Sequence, residues 1–427
     1  MNKFLILLGK CISTFSKSFN LGGGSTWPGH IALTLNPNFI QDVIKKSKIK
    51  IILISGTNGK TTTSKLTQAI LETAEKSVVL NESGANLLNG VASSIILASN
   101  FSGNLKKDYA IFEVDENTVP LVLNKLSPDY VLALNLFRDQ LDRYGEVDTI
   151  ARNWKESFDK MPTSTTFILN GDDPLISYLG ENVKSKPVFF GLNDDKFKIQ
   201  EKQNAADSVY CLFCGKKLFY NKTYFSHLGD WYCSSCKNKR HLLDLSSYSF
   251  YPLSGTYNIY NTLAVVLLAK KIGIKDELIK KTLKNFTPAF GRQEMLNKNG
   301  KSIQLFLSKN PTSFNESLRT IKSLNAKDLL VVLNDRIPDG KDVSWIWDTD
   351  VEELMNSVKN ITVSGDRAYD MGLRIKYAFD KNNLNILPNL RQAIKSSLKN
   401  TENTLYILPT YSAMLETRKI LTGKKIL

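Results

Sequence analysis

Short blocks of β-branched and aromatic residues alternate along most of this chain with longer stretches whose apolar positions recur every three or four residues. Ile49–Ser55, the first clear block, is an apolar run closed by glycine and reads as a buried strand. The periodicity then predicts helices over Thr62–Glu75, Leu87–Ala98, Val119–Leu126 and Arg152–Lys160. Val78–Leu80, Tyr109–Val114, Tyr130–Asn135 and Thr166–Leu169 fall between them as strands. Strands separated by helices of this length imply a parallel sheet with helices on both faces, and ligands bind beyond the carboxyl ends of such strands. An insertion at 205–242 precedes a further helix, Thr262–Lys271. From about Gly300 a second alternation begins, with strands at Leu305–Leu307, Leu329–Leu333, Asn360–Val363 and Leu405–Leu408. Its helices are Phe314–Leu324, Val351–Val358, Tyr369–Lys376 and Leu390–Lys399. The expected fold is α/β: an N-terminal helix and loop (1–48), a central domain (49–298) carrying the insertion, and a smaller C-terminal α/β domain (299–427).

Length and composition suit two or three globular domains: 427 residues, 42% apolar and 23% charged. The net charge of +15 is unusual and suggests an anionic partner, although the lysines are spread rather than clustered. No apolar run approaches the length of a membrane span, and Phe4–Leu8 is too short for a signal-peptide core. The first twenty residues read instead as an amphipathic helix, Lys3, Lys10 and Lys17 opposing Phe4, Leu8, Cys11 and Phe15. Such a helix fits a membrane surface or the flank of the first domain, and the pattern leaves both open.

The chemistry begins where the first strand ends. Gly56-Thr57-Asn58-Gly59-Lys60-Thr61-Thr62-Thr63 follows a strand and opens a helix, the context in which Gly-Lys-Thr becomes a phosphate loop. Glycines let backbone N–H groups approach phosphates, Lys60 reaches the β- and γ-phosphates, and the Thr61 hydroxyl ligates Mg²⁺. ATP and Mg²⁺ are therefore expected. Glu113 ends another strand of the same sheet, where a carboxylate suits Mg²⁺ bound with nucleotide phosphates. In the insertion, Cys211 and Cys214 pair with Cys233 and Cys236 as two Cys-x-x-Cys knuckles, the donor set of a structural Zn²⁺ ribbon in a reducing compartment.

The short loop GTNGKTTT resembles that of the Mur ligase superfamily, whose members activate a carboxylate as an acyl phosphate and let an amine displace the phosphate. That resemblance implies Glu113 as Mg²⁺ ligand, Asn258 in Gly255-x-x-Asn258-x-x-Asn261 as a nucleotide contact, and Arg292 as an arginine meeting the ATP phosphates. Asn170-Gly171-Asp172-Asp173-Pro174 resembles the family's strand-end turn. Asn135 through Asp139-Gln140-Leu141-Asp142-Arg143 resembles another signature, with Gln140 where relatives carry a histidine. Lys155 has the spacing of the lysine that relatives carbamylate. A Cys₄ ribbon in the middle domain, together with Asp339-Gly340-Lys341-Asp342-Val343-Ser344-Trp345-Ile346-Trp347-Asp348, closely resembles the MurT-type subunit family of lipid II isoglutaminyl synthase, over nearly the whole chain. The family amidates the D-glutamate α-carboxyl of lipid II at the inner face of the cytoplasmic membrane. Its ammonia comes from a separate GatD-type glutaminase, forming a heterodimer, and Asp342 would complete that partner's Cys-His pair; Asp348 is the alternative carboxylate.

The residues themselves also call for such a partner. With four cysteines assigned to zinc, only Cys11 remains, in a helical pattern, and His30, His227 and His241 sit in loop or ribbon contexts. No Cys-His glutaminase can be assembled from them. Two alternatives share parts of the pattern: a self-sufficient Mur-type amino acid ligase, and a nucleic-acid-binding zinc ATPase. No base-reading motif accompanies the phosphate loop, so no nucleic-acid partner is expected.

Overall fold

The computed structural model describes residues 1–18, 26–81, 84–138, 147–199, 207–288, 290–354, 358–379 and 383–423. Residues 1–48 hold three helices, Asn2–Ser18, Trp27–Leu35 and Phe39–Ile44, rather than the expected single helix and loop. Leu5 and Ile6 of the first are buried in the same core as Ile95 and Ile96 of helix Leu88–Ala98.

The central sheet has six parallel strands: β1 (Lys50–Ser55), β2 (Val78–Leu80), β3 (Tyr109–Val114), β4 (Tyr130–Ala133), β5 (Thr166–Asn170) and β6 (Val188–Phe190), in the order β2-β3-β1-β4-β5-β6. Its β-branched strands are apolar on both faces because helices cover both. The order reverses at β1, which has β3 on one side and β4 on the other, so a crevice opens beyond its carboxyl end. Pairing of Ile54 with Glu113 sets that carboxylate beside the loop leaving β1. Helix Thr256–Ile272 packs Val265, Val266 and Ala269 against Leu66 and Ile70 of the helix that starts at Lys60.

The insertion forms a hairpin of β7 (Phe219–Phe225) and β8 (Leu228–Tyr232). It is seated on the central domain: Phe225 and Leu228 join the same core as Phe137 and Tyr260, and Trp231 Nε1 donates to Gly171 O at 3.1 Å.

The second sheet runs β13-β12-β11-β14-β10-β9, with β9 at Arg292–Lys298, β10 at Lys301–Phe306, β11 at Asp328–Val332, β12 at Asn360–Ser364, β13 at Leu384–Ile386 and β14 at Thr404–Pro409. All its pairings are parallel except β9–β10. Asn299 (φ 53°) and Gly300 (φ 75°) close that hairpin, the two left-handed residues a tight turn requires. Arg292–Lys298, placed in the central domain by the expected division at 298/299, therefore belongs to the second sheet.

Candidate active site

Two glycines and one asparagine shape the loop after β1. Gly56 (φ 145°) passes so close to β4 that a Cβ there would lie 2.9 Å from Leu134 Cβ. Gly59 (φ 93°) begins the next helix, and its Cβ would lie 2.1 Å from Asn261 Oδ1. Asn135, just past β4, holds the loop from outside: its Oδ1 accepts from Asn58 N (2.9 Å) and its Nδ2 donates to Asn58 O (3.0 Å). Thr57 N donates to Asn135 O, and the Thr57 hydroxyl accepts from Phe137 N. Asn58 Oδ1 accepts from Asn310 Nδ2 of the C-terminal domain at 3.3 Å. Asn58 Nδ2 is buried without a partner among the described residues, a donor free for a ligand.

Lys60 Nζ donates to Gly56 O (2.5 Å) and to Glu116 Oε2 (2.9 Å). The Thr61 hydroxyl donates to Glu113 Oε1 at 2.8 Å, and Asn81 grips Glu113 through both its backbone N–H and its carbonyl. Glu113, Asp115 and Glu116 are all buried. Burial, with Glu116 adjacent, pushes the Asp115 carboxyl up. Burial works on Glu116 in the same direction, but Lys60 and Lys309 outweigh it and hold that carboxyl below its usual range. Burial lowers the Arg292 guanidinium, against the opposing pull of Glu113.

These groups line a cavity of about 420 Å³ at the junction of the two domains. The central domain contributes the loop residues 57–61 with Thr62, Asn258 and Asn261, Gly56 lying outside the lining, and the C-terminal domain contributes Arg292, Lys309, Glu316, Pro338 and Tyr411. Asn258 is fixed by donation of its Nδ2 to Ser254 O, and its Oδ1 accepts from Asn261 Nδ2. The expected nucleotide residues thus converge on one space. Thr61 and Glu113 present hard oxygen donors there, the type Mg²⁺ takes.

Asp342 lies outside this cavity, exposed, on a loop whose Pro338 lines it. Four residues of chain span at most about 14 Å. Its carboxylate accepts from Ser344 N at 2.8 Å, an Asx-type contact just ahead of the short turn Ser344–Asp348 that holds the carboxyl below its usual range. Trp347 stands half-exposed beside Tyr377, and Asp348 meets Arg138 at 3.4 Å.

Cys211, Cys214, Cys233 and Cys236 bring their sulfurs within 4.8 Å of one another, with 3.6 Å from Cys211 to Cys236 and 3.5 Å from Cys214 to Cys233. Four thiolates at the ~2.3 Å Zn–S distance around a tetrahedral centre sit about 3.8 Å apart, so the cluster fits zinc. The backbone N–H groups of Cys236 and Ser235 draw the Cys233 thiol down to about 7. Burial pushes Cys211 up to about 12, so its ligation depends on the charge of the ion itself.

Gln140 and the rest of 139–146 lie outside the described residues. Lys155 is buried rather than solvated, its Nζ on Asp159. Cys11 is exposed on the first helix, His227 is buried with Nδ1 accepting from Asp207 N, and His241 stacks on Phe189. These groups form no nucleophile–base pair. Sequence reasoning missed Glu116, Asn135 and Lys309 as site residues. The acidic run Glu113-Val114-Asp115-Glu116 was the signal for the first and the signature opening at Asn135 for the second, while Lys309 depends on how the C-terminal domain meets the loop.

Residues 54–269 match the Mur ligase middle domain family and residues 307–414 the MurT ligase C-terminal family. The chain is 32% identical to the lipid II isoglutaminyl synthase (glutamine-hydrolyzing) subunit MurT of Streptococcus pneumoniae, over 95% of this chain and 94% of that protein. It is 31% identical to the protein of the same name from Staphylococcus aureus, over 83% of each. A pseudomurein peptide ligase type C from Methanothermus fervidus shares the fold, with a TM-score of 0.67 at 22% identity over 90% of this chain and 81% of that one.

Proposed function

The chain belongs to the MurT family of Mur ligases, and from that premise we propose that it is the ATP-dependent ligase subunit of a lipid II isoglutaminyl synthase. It amidates the D-glutamate α-carboxyl of lipid II through an acyl phosphate, in peptidoglycan synthesis. The observation that carries this reading is the convergence of Lys60, Thr61, Glu113 and Arg292 on one interdomain cavity.

In the reaction Lys60 exchanges its Glu116 partner for the β- and γ-phosphates of ATP, while the N–H groups of the loop cradle them. Thr61 and Glu113 would hold Mg²⁺, which supplies charge neutralisation for the phosphates. Arg292 steadies the transferring phosphoryl group with its planar fork. A carboxylate oxygen of the substrate attacks the γ-phosphorus and ADP departs. Ammonia then attacks the acyl carbon, the C–O bond to phosphate breaks, and phosphate leaves with the electron pair as nitrogen releases a proton. The residues contribute positioning and fixed charge.

Ammonia comes from a glutaminase subunit of the GatD type, docked where Asp342 can reach it. That carboxylate fixes the imidazole of the partner's Cys-His pair. The four cysteines would hold a structural Zn²⁺, and Asn258 would touch the nucleotide. No helix among the described residues is long and apolar enough to cross a membrane, so work on a lipid-borne substrate requires contact with the inner face of the cytoplasmic membrane. Lys60→Ala tests the assignment: the fold should persist while amidation with free ammonia disappears. Near-normal amidation by this variant would overturn it.

A further inference from the structure

The first helix carries large apolar side chains on two faces, one buried and one exposed. Leu5, Ile6, Gly9, Ser13 and Ser16 face the protein, whereas Phe4 (63% exposed), Leu7 (49%), Phe15 (57%) and Cys11 face solvent. At 100° per residue the four outward groups occupy an arc of about 80°. A helix that only covers a domain needs the buried Leu5–Ile6 side alone, so the exposed stripe is surplus to that packing. Lys3 and Lys10 run along one edge of the stripe. Lys3 borders a small cleft with Lys46, and Lys10 lies 5.2 Å from the ring centroid of Phe101, itself 72% exposed. The N-terminal segment is one-sided in charge: residues 1–48 carry six lysines and a single carboxylate, Asp42. That carboxylate is occupied by Asn2 and Asn36.

We propose that this face is a membrane-docking surface, the Phe4–Leu7–Cys11–Phe15 stripe entering the headgroup boundary of an anionic bilayer with Lys3, Lys10 and Lys46 against its phosphates. An aromatic stripe on an acid-free helix with a lysine border is the design of an interfacial helix. Charge selects this occupant over a second copy of the chain, whose matching face would be equally positive. The proposal rests on the reading of lipid II as substrate, because it explains how an enzyme with no spanning helix among its described residues stays beside a lipid-borne carboxylate.

The test is flotation of the full chain with vesicles of phosphatidylcholine and phosphatidylglycerol, compared with phosphatidylcholine alone. Wild type should float with the anionic vesicles only, and high salt should release it. Phe4→Ser/Leu7→Ser/Phe15→Ser, three exposed positions, should keep its melting temperature and bind at least about tenfold more weakly. Lys3→Glu/Lys46→Glu should weaken binding with the aromatics intact. Absence of wild-type flotation, equal flotation by the triple variant, or conversion by that variant of a wild-type dimer to a monomer without change in flotation would each overturn the proposal. Amidation of lipid II in detergent with added ammonium separates the two readings. It should survive in the triple variant; its absence in wild type would refute the functional reading.

Discussion

Substituting alanine at Gly59 perturbs the site without removing a functional group. The residue has φ 93°, where a Cβ costs about 1–2 kcal/mol. The added carbon would lie 2.1 Å from Asn261 Oδ1, whereas ordinary contact starts at 3.4 Å, so the buried amide must retreat by 1.3 Å (3.4 − 2.1) or the loop must lift. Retreat breaks the 3.2 Å bond from Asn261 to Asn258, worth roughly 1 kcal/mol. The loop borders a cavity and can relax when empty, so most of the total of roughly 2–3 kcal/mol should appear when ATP reimposes the tight conformation. At 1.4 kcal/mol per decade this predicts roughly 30- to 150-fold weaker ATP binding. The assay is titration with a fluorescent ATP analogue, paired with thermal unfolding. Gly273→Ala is the control: its φ is 90°, but nothing lies within 4 Å of the added carbon, so it should lose stability and keep its affinity for ATP. Adding Asn261→Ala to Gly59→Ala should recover part of the loss. Unchanged affinity in Gly59→Ala, or an equal loss in Gly273→Ala, would refute the reasoning.

Cys211→Ser or Cys236→Ser should abolish zinc content and loosen the knuckles while the central sheet stays folded; structural zinc supplies on the order of 10 kcal/mol in small peptides. Wild-type protein without zinc would contradict this. Asp342→Asn keeps an oxygen to accept from Ser344 N but removes the charge, so glutamine hydrolysis by the complex should fall, by up to ~10⁴-fold on the precedent of serine triads, while ammonia-driven amidation survives. If both activities fell together, or neither did, Asp342 would not be the shared carboxylate. Burial raises the Asp172 carboxyl to about 6, opposed by Arg240 and Tyr260. A raised native value means that the native state binds the extra proton. Asp172 therefore contributes stability that is complete below 3.8 and lost as the pH rises through about 6. Asp172→Asn should flatten the pH dependence of unfolding across that window, and an unchanged slope would exclude the shift.

The chemistry was more legible in the sequence than its boundaries. The strand Lys50–Ser55, its phosphate loop and the paired cysteines announce themselves because each is local: one turn of backbone or one knuckle fixes the geometry. Periodicity marked the strand that carries Glu113, and the resemblance to the Mur ligases singled that carboxylate out from Asp115 and Glu116 beside it. What the sequence analysis missed depends on tertiary partners. Arg292–Lys298 is followed by an Asn-Gly turn, a hairpin signal, but which sheet the hairpin joins depends on β10 pairing with β14 far along the chain. Asn135 and Asn310 hold Asn58 from strand and helix ends far away in sequence. The outward face of the first helix was hidden because 3.6-residue periodicity marks a stripe without saying which side the protein covers. Which side is covered was decided by Leu5, Ile6 and Gly9, the smaller set.

Transfer of labelled nitrogen to lipid II separates an ammonia-using amide ligase from a ligase that adds an amino acid. The chain, ATP, Mg²⁺ and isotopically labelled ammonium are incubated with lipid II, and the product is read by mass spectrometry. Label should appear in a carboxamide at the D-glutamate α-carboxyl, with one ATP consumed per amide and no product with Lys60→Ala. Incorporation of an amino acid in place of ammonia, or ATP turnover indifferent to lipid II, would contradict it.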